Sequence, residues 1–353
     1  MYAERIAEVI RDKKPAVEIR GYGDYGFKTG DLAVMGIGQV LRRIFYFLRV
    51  KRTMERAIDE WKPDVVCTVD YPGMNLKLAA YAKKKGIRTV HVVCPQVWAW
   101  KKGRIPKIEA ALDKLCCFFP FEPELFKPGF AEFVGHPLVD EMRDGFNTEA
   151  QRRRDGGEKV LAILPGSRIG EIEKHLPTLL GVVGTLQKEM PDLKVVIPAA
   201  NDRAYRAITS CVSSLKFLSC IAVTRGGARA VLRDATAAVV ASGTATLEAA
   251  LAGCPTVLVY KVGWLFAFLA RRFIKGIRHI GLANIIAEKA GKQCPMPELL
   301  QADFTVEKVL AVLRPLLERE ESNAIARALL GETMKLLKSD GGAIARVAGR
   351  VLE

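Results

Sequence analysis

Three apolar runs in this 353-residue chain end in groups able to bind charge or move a proton. Asp70 closes DVVCTV (64–69) and precedes YPGMN, so a carboxylate stands at a strand end, where it could take the proton of a substrate hydroxyl. Asp also caps helices routinely, and a helix beginning near Asn75 would use it in that way. KVLAIL (159–164) runs into PGSRIGEIE, where Gly166 allows a tight turn, Ser167 and the following helix offer N–H groups, and Arg168 adds a charged fork. That loop suits phosphate oxygens, although an ordinary strand-to-helix turn uses the same residue types. AAVVA (237–241) leads into SGTATLE, in which Ser242, Gly243 and Thr244 let backbone N–H groups approach a diphosphate. Glu248, one turn inside that helix, could accept from the vicinal hydroxyls of a ribose; the plainer alternative is a capped helix packed through small residues. Two such loops in one half of the chain favour a nucleoside diphosphate.

A second set of residues points to surfaces. Ile37, Val40, Leu41, Ile44 and Leu48 recur at helical spacing, with Arg42, Arg43, Arg49, Lys51, Arg52 and Arg56 interleaved among Phe45, Tyr46 and Phe47. GWLFAFLARRFIKGIRHIG (263–281) repeats the combination, with Trp264, Leu265 and Phe266 ahead of Arg271 and Arg272. One such helix is explained by a core face and a solvated face; two favour contact with an anionic lipid surface. CPQVWAWKKGRIPKI (94–108) sets Trp98 and Trp100 beside bases, as single-stranded nucleic acid sites do. No recognised RNA- or DNA-binding motif accompanies it, so structural packing of the tryptophans is the preferred reading and no nucleic acid partner is expected. The four histidines have no metal-ligand spacing, and no metal is expected. The absence of GxSxG, of GxGxxG after a strand and of a Walker loop removes the main support for serine hydrolases, nicotinamide enzymes and P-loop ATPases.

The elements that must hold these residues are short β-branched runs alternating with helical patterns: AVEI (16–19), DVVCTV, RTVHVV (88–93), KLCCFF (114–119), KVLAIL, LKVVI (193–197), AAVVA and TVLVY (256–260). Such alternation predicts βαβ units around parallel sheets buried on both faces. EMRDGFNTEAQRRRDGGE (141–158) is polar and broken by Gly, and is read as a link between two α/β domains, 1–150 and 151–337. The last residues, 338–353, are expected to form a helix packing back on the domains. Fifty-four Lys and Arg against 39 Asp and Glu give a net charge of +15, which favours an anionic partner. Eight cysteines without a CxxC pair fit a reducing compartment. The longest apolar candidate, Val262 to Ala270, is stopped by Arg271 and Arg272, well short of the ~18 to 20 residues of a spanning helix. The opening MYAERIAEVIRDKK has no apolar core of a signal peptide.

Taken in order, LAVMGIGQVL (32–41), DYPGMN (70–75), CPQVWAWKKGRIPKI, FFPFE (118–122), FVGHPLVD (133–140), LPGSRIGEIE (164–173), ASGTATLE (241–248), LANII (282–286) and PELLQ (297–301) resemble the lipid-A-disaccharide synthase family. The resemblance is collinear over roughly residues 30 to 350, and VWAW, GHPL, LPGSR and SGTATLE together make it specific. It implies a GT-B-like fold, two Rossmann-like doubly wound domains facing across a cleft. It also implies an inverting hexosyltransferase that works without metal or cofactor. The donor would be UDP-2,3-diacylglucosamine, the acceptor 2,3-diacylglucosamine 1-phosphate, and the products a β-1,6 lipid A disaccharide and UDP. The place of work would be the cytoplasmic, inner face of a Gram-negative inner membrane, as a peripheral protein. By the same resemblance Asp70 is the base, Arg168 a diphosphate contact, Glu248 a contact to the donor's nucleoside, and Asn284 and Gln301 lie near the site. Two departures stand out. The sequence opens where the helix after the family's first strand and GEASGD-like loop is expected, so the first domain is expected without that strand, either because the sequence starts late or because the copy is divergent. The family's LPNLLAG reads LANIIAE, with Ala283 for Pro and Glu288 for Gly. The competing readings are another UDP-sugar GT-B enzyme, or a catalytically silent lipid- or nucleotide-binding relative.

Overall fold

The computed structural model describes residues 2–27, 44–142, 158–213, 220–263 and 278–353. Contacts divide the chain into two units, Met1–Pro137 with Lys338–Glu353, and Leu138–Leu337.

The first unit runs α1 (Tyr2–Lys13), α2 (Ile44–Trp61), β1 (Val65–Val69), α3 (Pro72–Lys84), β2 (Arg88–Val92), α4 (Ile105–Ala111), β3 (Lys114–Cys117) and β4 (Ala131–Phe133). Its sheet is parallel in the order β1-β2-β3-β4. The two-residue period of a strand sends Val90, Val92 and Cys116 to one face, against Ile6 and Ile10 of α1, and Leu115 and Cys117 to the other, against Ile108 and Leu112. Both faces are covered, which is why these strands read as continuous apolar runs. AVEI departs from expectation. Ala16 closes a turn and the rest joins no ladder among the described residues; Val17 and Ile19 instead pack against the cluster around α1.

The second unit contains α5 (Pro137–Glu141, whose first residue falls on the division), β5 (Val160–Leu164), α6 (Ile169–Glu189), β6 (Lys194–Ala199), α7 (Asp202–Ser213), β7 (Ile221–Arg225), α8 (Ala228–Asp234), β8 (Ala237–Ala241), α9 (Thr244–Leu251), β9 (Thr256–Tyr260), α10 (Leu282–Lys289), β10 (Glu298–Leu300), α11 (Val306–Glu318) and α12 (Glu320–Lys335). The parallel order is β10-β9-β8-β5-β6-β7. From β5 the chain winds outward through β6 and β7, then returns to lay β8 on the other side of β5. This is a topological switch point, and the loops leaving β5 and β8 lie side by side beyond the strands' carboxyl ends, where doubly wound sheets bind ligands.

The last helix, α13 (Ala343–Leu352), belongs to the first unit: Ile344 and Val347 share the cluster of Ile6 and Ile10. Glu132 of β4 accepts from Arg346 Nη2 (2.8 Å) and from Arg350 Nε and Nη2 (2.6 and 2.9 Å). The Arg350 bonds, with Arg346 and Lys114 behind them, hold its carboxyl down at about 2. Ser339 Oγ donates to Val134 O at 2.7 Å. Gly135, at φ +89°, leaves room for Ser339, which any Cβ there would strike.

Candidate functional site

Asp70 follows β1 with its side chain exposed. The helix after it starts at Pro72 rather than near Asn75, its cap is Tyr71, and no side chain caps it, so Asp70 does not serve as the cap. Asp70 and Tyr71 themselves make the turn, at φ +52° and +46°, conformations costly for residues other than Gly. The surroundings hold them there. Asp70 N donates to Val92 O (2.9 Å), Asn75 Nδ2 donates to Val69 O (3.0 Å) and Asp70 O (2.8 Å), and Tyr71 stacks on Phe47 at 5.8 Å. Asn75 is fixed in turn by Tyr22, whose hydroxyl donates to Oδ1 at 2.7 Å. Among the described residues no hydrogen bond to the Asp70 carboxylate is found, so a strained, braced turn presents it to solvent.

The loops after β2 and β3 pack on each other. Trp98 is buried edge-on against Phe121 at 5.7 Å, while Trp100 stays exposed with Lys101 Nζ 4.3 Å from its ring centre. Packing therefore accounts for the first tryptophan. Glu122, 2 % exposed, accepts from Phe119 N at 3.1 Å, and burial pushes its carboxyl up to about 8. Its oxygen and the Cys94 and Cys117 sulfurs lie within 4.8 Å of one another, close enough to share an ion. The hydrogen bond with Cys94 and burial push the Cys117 thiol up, so at neutral pH protonated groups stand here rather than anionic ligands.

At the switch point of the second unit, the loop after β5 already holds an anion. Glu171, one turn into α6, reaches back so that Oε2 accepts from Ser167 N (3.3 Å) and Arg168 N (3.4 Å), while Oε1 meets Arg168 Nη1 at 2.6 Å. Two backbone donors and a guanidinium thus converge as they would on a phosphate. Gly166 makes this possible. At φ +123° its hydrogen faces Glu171, and a Cβ would stand 2.8 Å from both Glu171 Cβ and Oε2. Beside it, Gly243 at φ +148° precedes α9, whose first two N–H groups, of Thr244 and Ala245, lie ahead of the first bonded one, Thr246 N to Gly243 O at 3.1 Å. Ser242 N donates to Val259 O (3.3 Å), which ties this loop to β9.

His175, fully buried, couples the β5 loop to the chain after β9: Lys261 N donates to its Nε2 (2.9 Å), so Nδ1 carries the proton and donates to Pro165 O (2.7 Å). Glu248 Oε1 accepts from Arg229 Nε at 2.9 Å, and Arg229 Nη1 donates to Glu141 at 2.9 Å. Asn284 is fully buried; Nδ2 donates to Met296 O (2.7 Å) and Glu298 Oε1 (2.8 Å), and Oδ1 accepts from Met296 N (3.0 Å). Gln301, with its amide oriented to satisfy both ends, donates to Val262 O (3.2 Å) and accepts from Val262 N (3.3 Å). These two amides brace the backbone around the strand ends. Glu171, His175 and Arg229 are site residues that sequence reasoning did not single out. For Glu171 the signal was there, because Arg168 and Glu171 stand three apart at a helix start, the spacing of a capping box.

Of the residues expected at a membrane, Arg42, Arg43, Trp264, Leu265, Phe266, Arg271 and Arg272 lie outside the described residues. Phe47 turns inward against Tyr71, whereas Phe45 is 82 % exposed. With Leu48, Arg49, Arg52 and Arg56 it forms an exposed stripe along α2, while Val50, Ala57 and Ile58 line the buried side. Among the described residues no helix is long and apolar enough to cross a membrane.

Compared with known proteins, residues 20–342 match the family described as lipid-A-disaccharide synthetase. The chain is 36% identical over 363 residues to the lipid-A-disaccharide synthase of Neisseria gonorrhoeae, covering 99% of this chain and 91% of that relative. It is 34% identical over 373 residues to the one from Myxococcus xanthus, covering 100% and 94%. Among solved structures, a UDP-GlcNAc 2-epimerase from Neisseria meningitidis bound to UDP-GlcNAc is similar with a TM-score of 0.58 at 13% identity, covering 100% of this chain and 96% of that one. A second UDP-N-acetylglucosamine 2-epimerase structure gives 0.56 at 12% identity. At such identities the likeness shows the fold alone, and that fold is the GT-B type.

Proposed function

The chain belongs to the lipid-A-disaccharide synthase family and is a glycosyltransferase of lipid A biosynthesis; from that premise we propose how its own residues do the work. The family match favours this activity over the other readings of the sequence. The donor is UDP-2,3-diacylglucosamine, and its diphosphate takes the place now held by the Glu171 carboxylate, on Ser167 N, Arg168 N and the Arg168 guanidinium. The start of α9 at Gly243 and Thr244 supplies further N–H groups. Glu248, oriented by Arg229, accepts from the ribose. The acceptor is 2,3-diacylglucosamine 1-phosphate. Its 6-hydroxyl loses a proton to Asp70 as its oxygen bonds to the anomeric carbon from the face opposite the departing UDP, and the configuration inverts. Arg168 and the loop N–H groups meet the charge that grows on the leaving diphosphate. The exposed stripe of α2 rests on the anionic inner face of the membrane that holds both acylated substrates, as a peripheral contact.

The observation that carries the assignment of the base is the exposed carboxylate on a braced left-handed turn, without a capping role. Asp70→Asn tests it cleanly, because Asn tolerates positive φ and keeps the side chain's shape. Turnover of the two acylated substrates should fall by about 10²- to 10⁴-fold, with UDP affinity and melting temperature nearly unchanged. Near-wild-type turnover would show that the base lies elsewhere.

A further inference from the structure

We propose that Cys294 is an exchange-active thiol, served by His279 as base and Glu298 as orienting carboxylate, which forms mixed disulfides with small-molecule disulfides. The three side chains come from the segment before α10, the loop after it and β10, and stand in series. Cys294 Sγ is 3.3 Å from His279 Nε2, and His279 Nδ1 is 3.5 Å from Glu298 Oε1. Glu298 is held firmly. Its side chain is 7 % exposed, Oε2 accepts from Ile280 N (3.0 Å), and Oε1 accepts from Gly281 N (3.1 Å) and Asn284 Nδ2 (2.8 Å). A carboxylate fixed on the Nδ1 side keeps the proton there and turns the Nε2 lone pair toward the thiol, the order of groups in which an imidazole activates a nucleophile.

The thiol needs that help. Burial first, then Glu288 and Glu298, hold it above its ordinary range. The other charges nearby are Arg278, 3.9 Å from Glu288, and Lys292, paired with Glu332 of α12 at 3.6 Å. Cys294 and His279 are both half-buried, so a small reagent can reach them from solvent. In the exchange, the Cys294 proton passes to His279 Nε2 while sulfur attacks one sulfur of the reagent. The reagent's S–S bond breaks, a Cys294–S–S–R bond forms, and the departing thiolate takes the proton back from His279. Cys294 sulfur is oxidised and the leaving sulfur reduced. Sγ also faces Asn284 O at 3.7 Å, so an adduct presses directly on the start of α10.

The test treats the full chain with oxidised glutathione and follows each cysteine by peptide mass spectrometry, with the exposed Cys211 as internal reference. Cys294 should react about tenfold faster than Cys211, and His279→Gln should remove that advantage while leaving the Cys211 rate unchanged. In the wild type, the Cys294 rate should rise less steeply with pH than that of a free thiol, because the proton passes to the neighbouring ring nitrogen rather than to solvent. This second measurement needs no variant to fold. Cys294 reacting no faster than Cys211, or a rate that keeps rising with pH as a free thiol's does, overturns the proposal. Neither readout depends on transferase activity.

Discussion

Replacing Glu122 by Gln is expected to stabilise the first unit above neutral pH and to leave it almost unchanged in acid. The wild-type carboxyl is held at about 8 by burial, against an ordinary 4.5. A group whose folded value is raised binds more protons folded than unfolded between those two values. Its contribution is therefore fully present below pH 4.5 and is lost as pH rises through 8. At about 1.36 kcal/mol per pH unit, the gap of about 3.5 units comes to about 5 kcal/mol by pH 9, of which about 3 kcal/mol is gone by pH 7. Gln keeps an oxygen for Phe119 N and cannot titrate. His91 and His136, both held down at about 4 by burial, have the opposite slope, losing stability as pH falls below 6.5, and they cancel between the two proteins. Denaturant unfolding followed by tryptophan fluorescence reports the right region, since Trp61, Trp98 and Trp100 all lie in the first unit. The variant's advantage should open steadily from pH 4 to pH 9. Parallel pH profiles would mean that Glu122 is already ionised in the fold, and the desolvation argument would fail.

Gly166→Ala places a methyl group 2.8 Å from Glu171 Cβ and Oε2 at φ +123°, and a non-glycine residue there costs about 1–3 kcal/mol of strain. Calorimetry should show UDP binding weakened by about tenfold or more, and unchanged affinity would remove this loop from the diphosphate site. For the membrane face, Phe45→Ser with Leu48→Ser should lower the salt-resistant fraction that sediments with anionic vesicles, while the salt-sensitive fraction persists through Arg49, Arg52 and Arg56. A wild-type protein that ignores such vesicles at every ionic strength would refute the contact.

What could be read from the residues is what local pattern controls. β5, β8 and β9 announce themselves because each is almost wholly buried and mostly apolar, whereas β1, half-buried at its sheet's edge, and β2 show through their β-branched residues. β4 and β10, three residues each, are too short for a pattern, and β7 is a half-exposed edge strand. AVEI has a strand's composition without a strand's partner, and composition cannot reveal a missing ladder. The loops at Gly166 and Gly243 were legible as strand-to-helix turns because small residues there follow an apolar run and precede a helical pattern. The turn at Asp70 was not. Its left-handed backbone is imposed by Val92, Asn75 and Phe47, two of which are distant in sequence. His175 illustrates the same limit, since on an apolar helix face it looks like filler until Lys261, 86 residues on, donates to it.

The return of α13 to the first unit reverses the order in which the chain can be finished. During synthesis β5 through β10 and their helices emerge as one continuous stretch, and the second unit can close as soon as residue 337 is available. The first unit, although made first, cannot. Ile6 and Ile10 of α1 wait for Ile344 and Val347, and Glu132 waits for Arg346 and Arg350, more than two hundred residues later. Until then one face of its sheet stands partly bare, an exposed apolar surface on the nascent chain. The ten residues of α13 therefore act as a latch on the first unit, and a ribosome that stops short of them leaves that unit open while the second is complete.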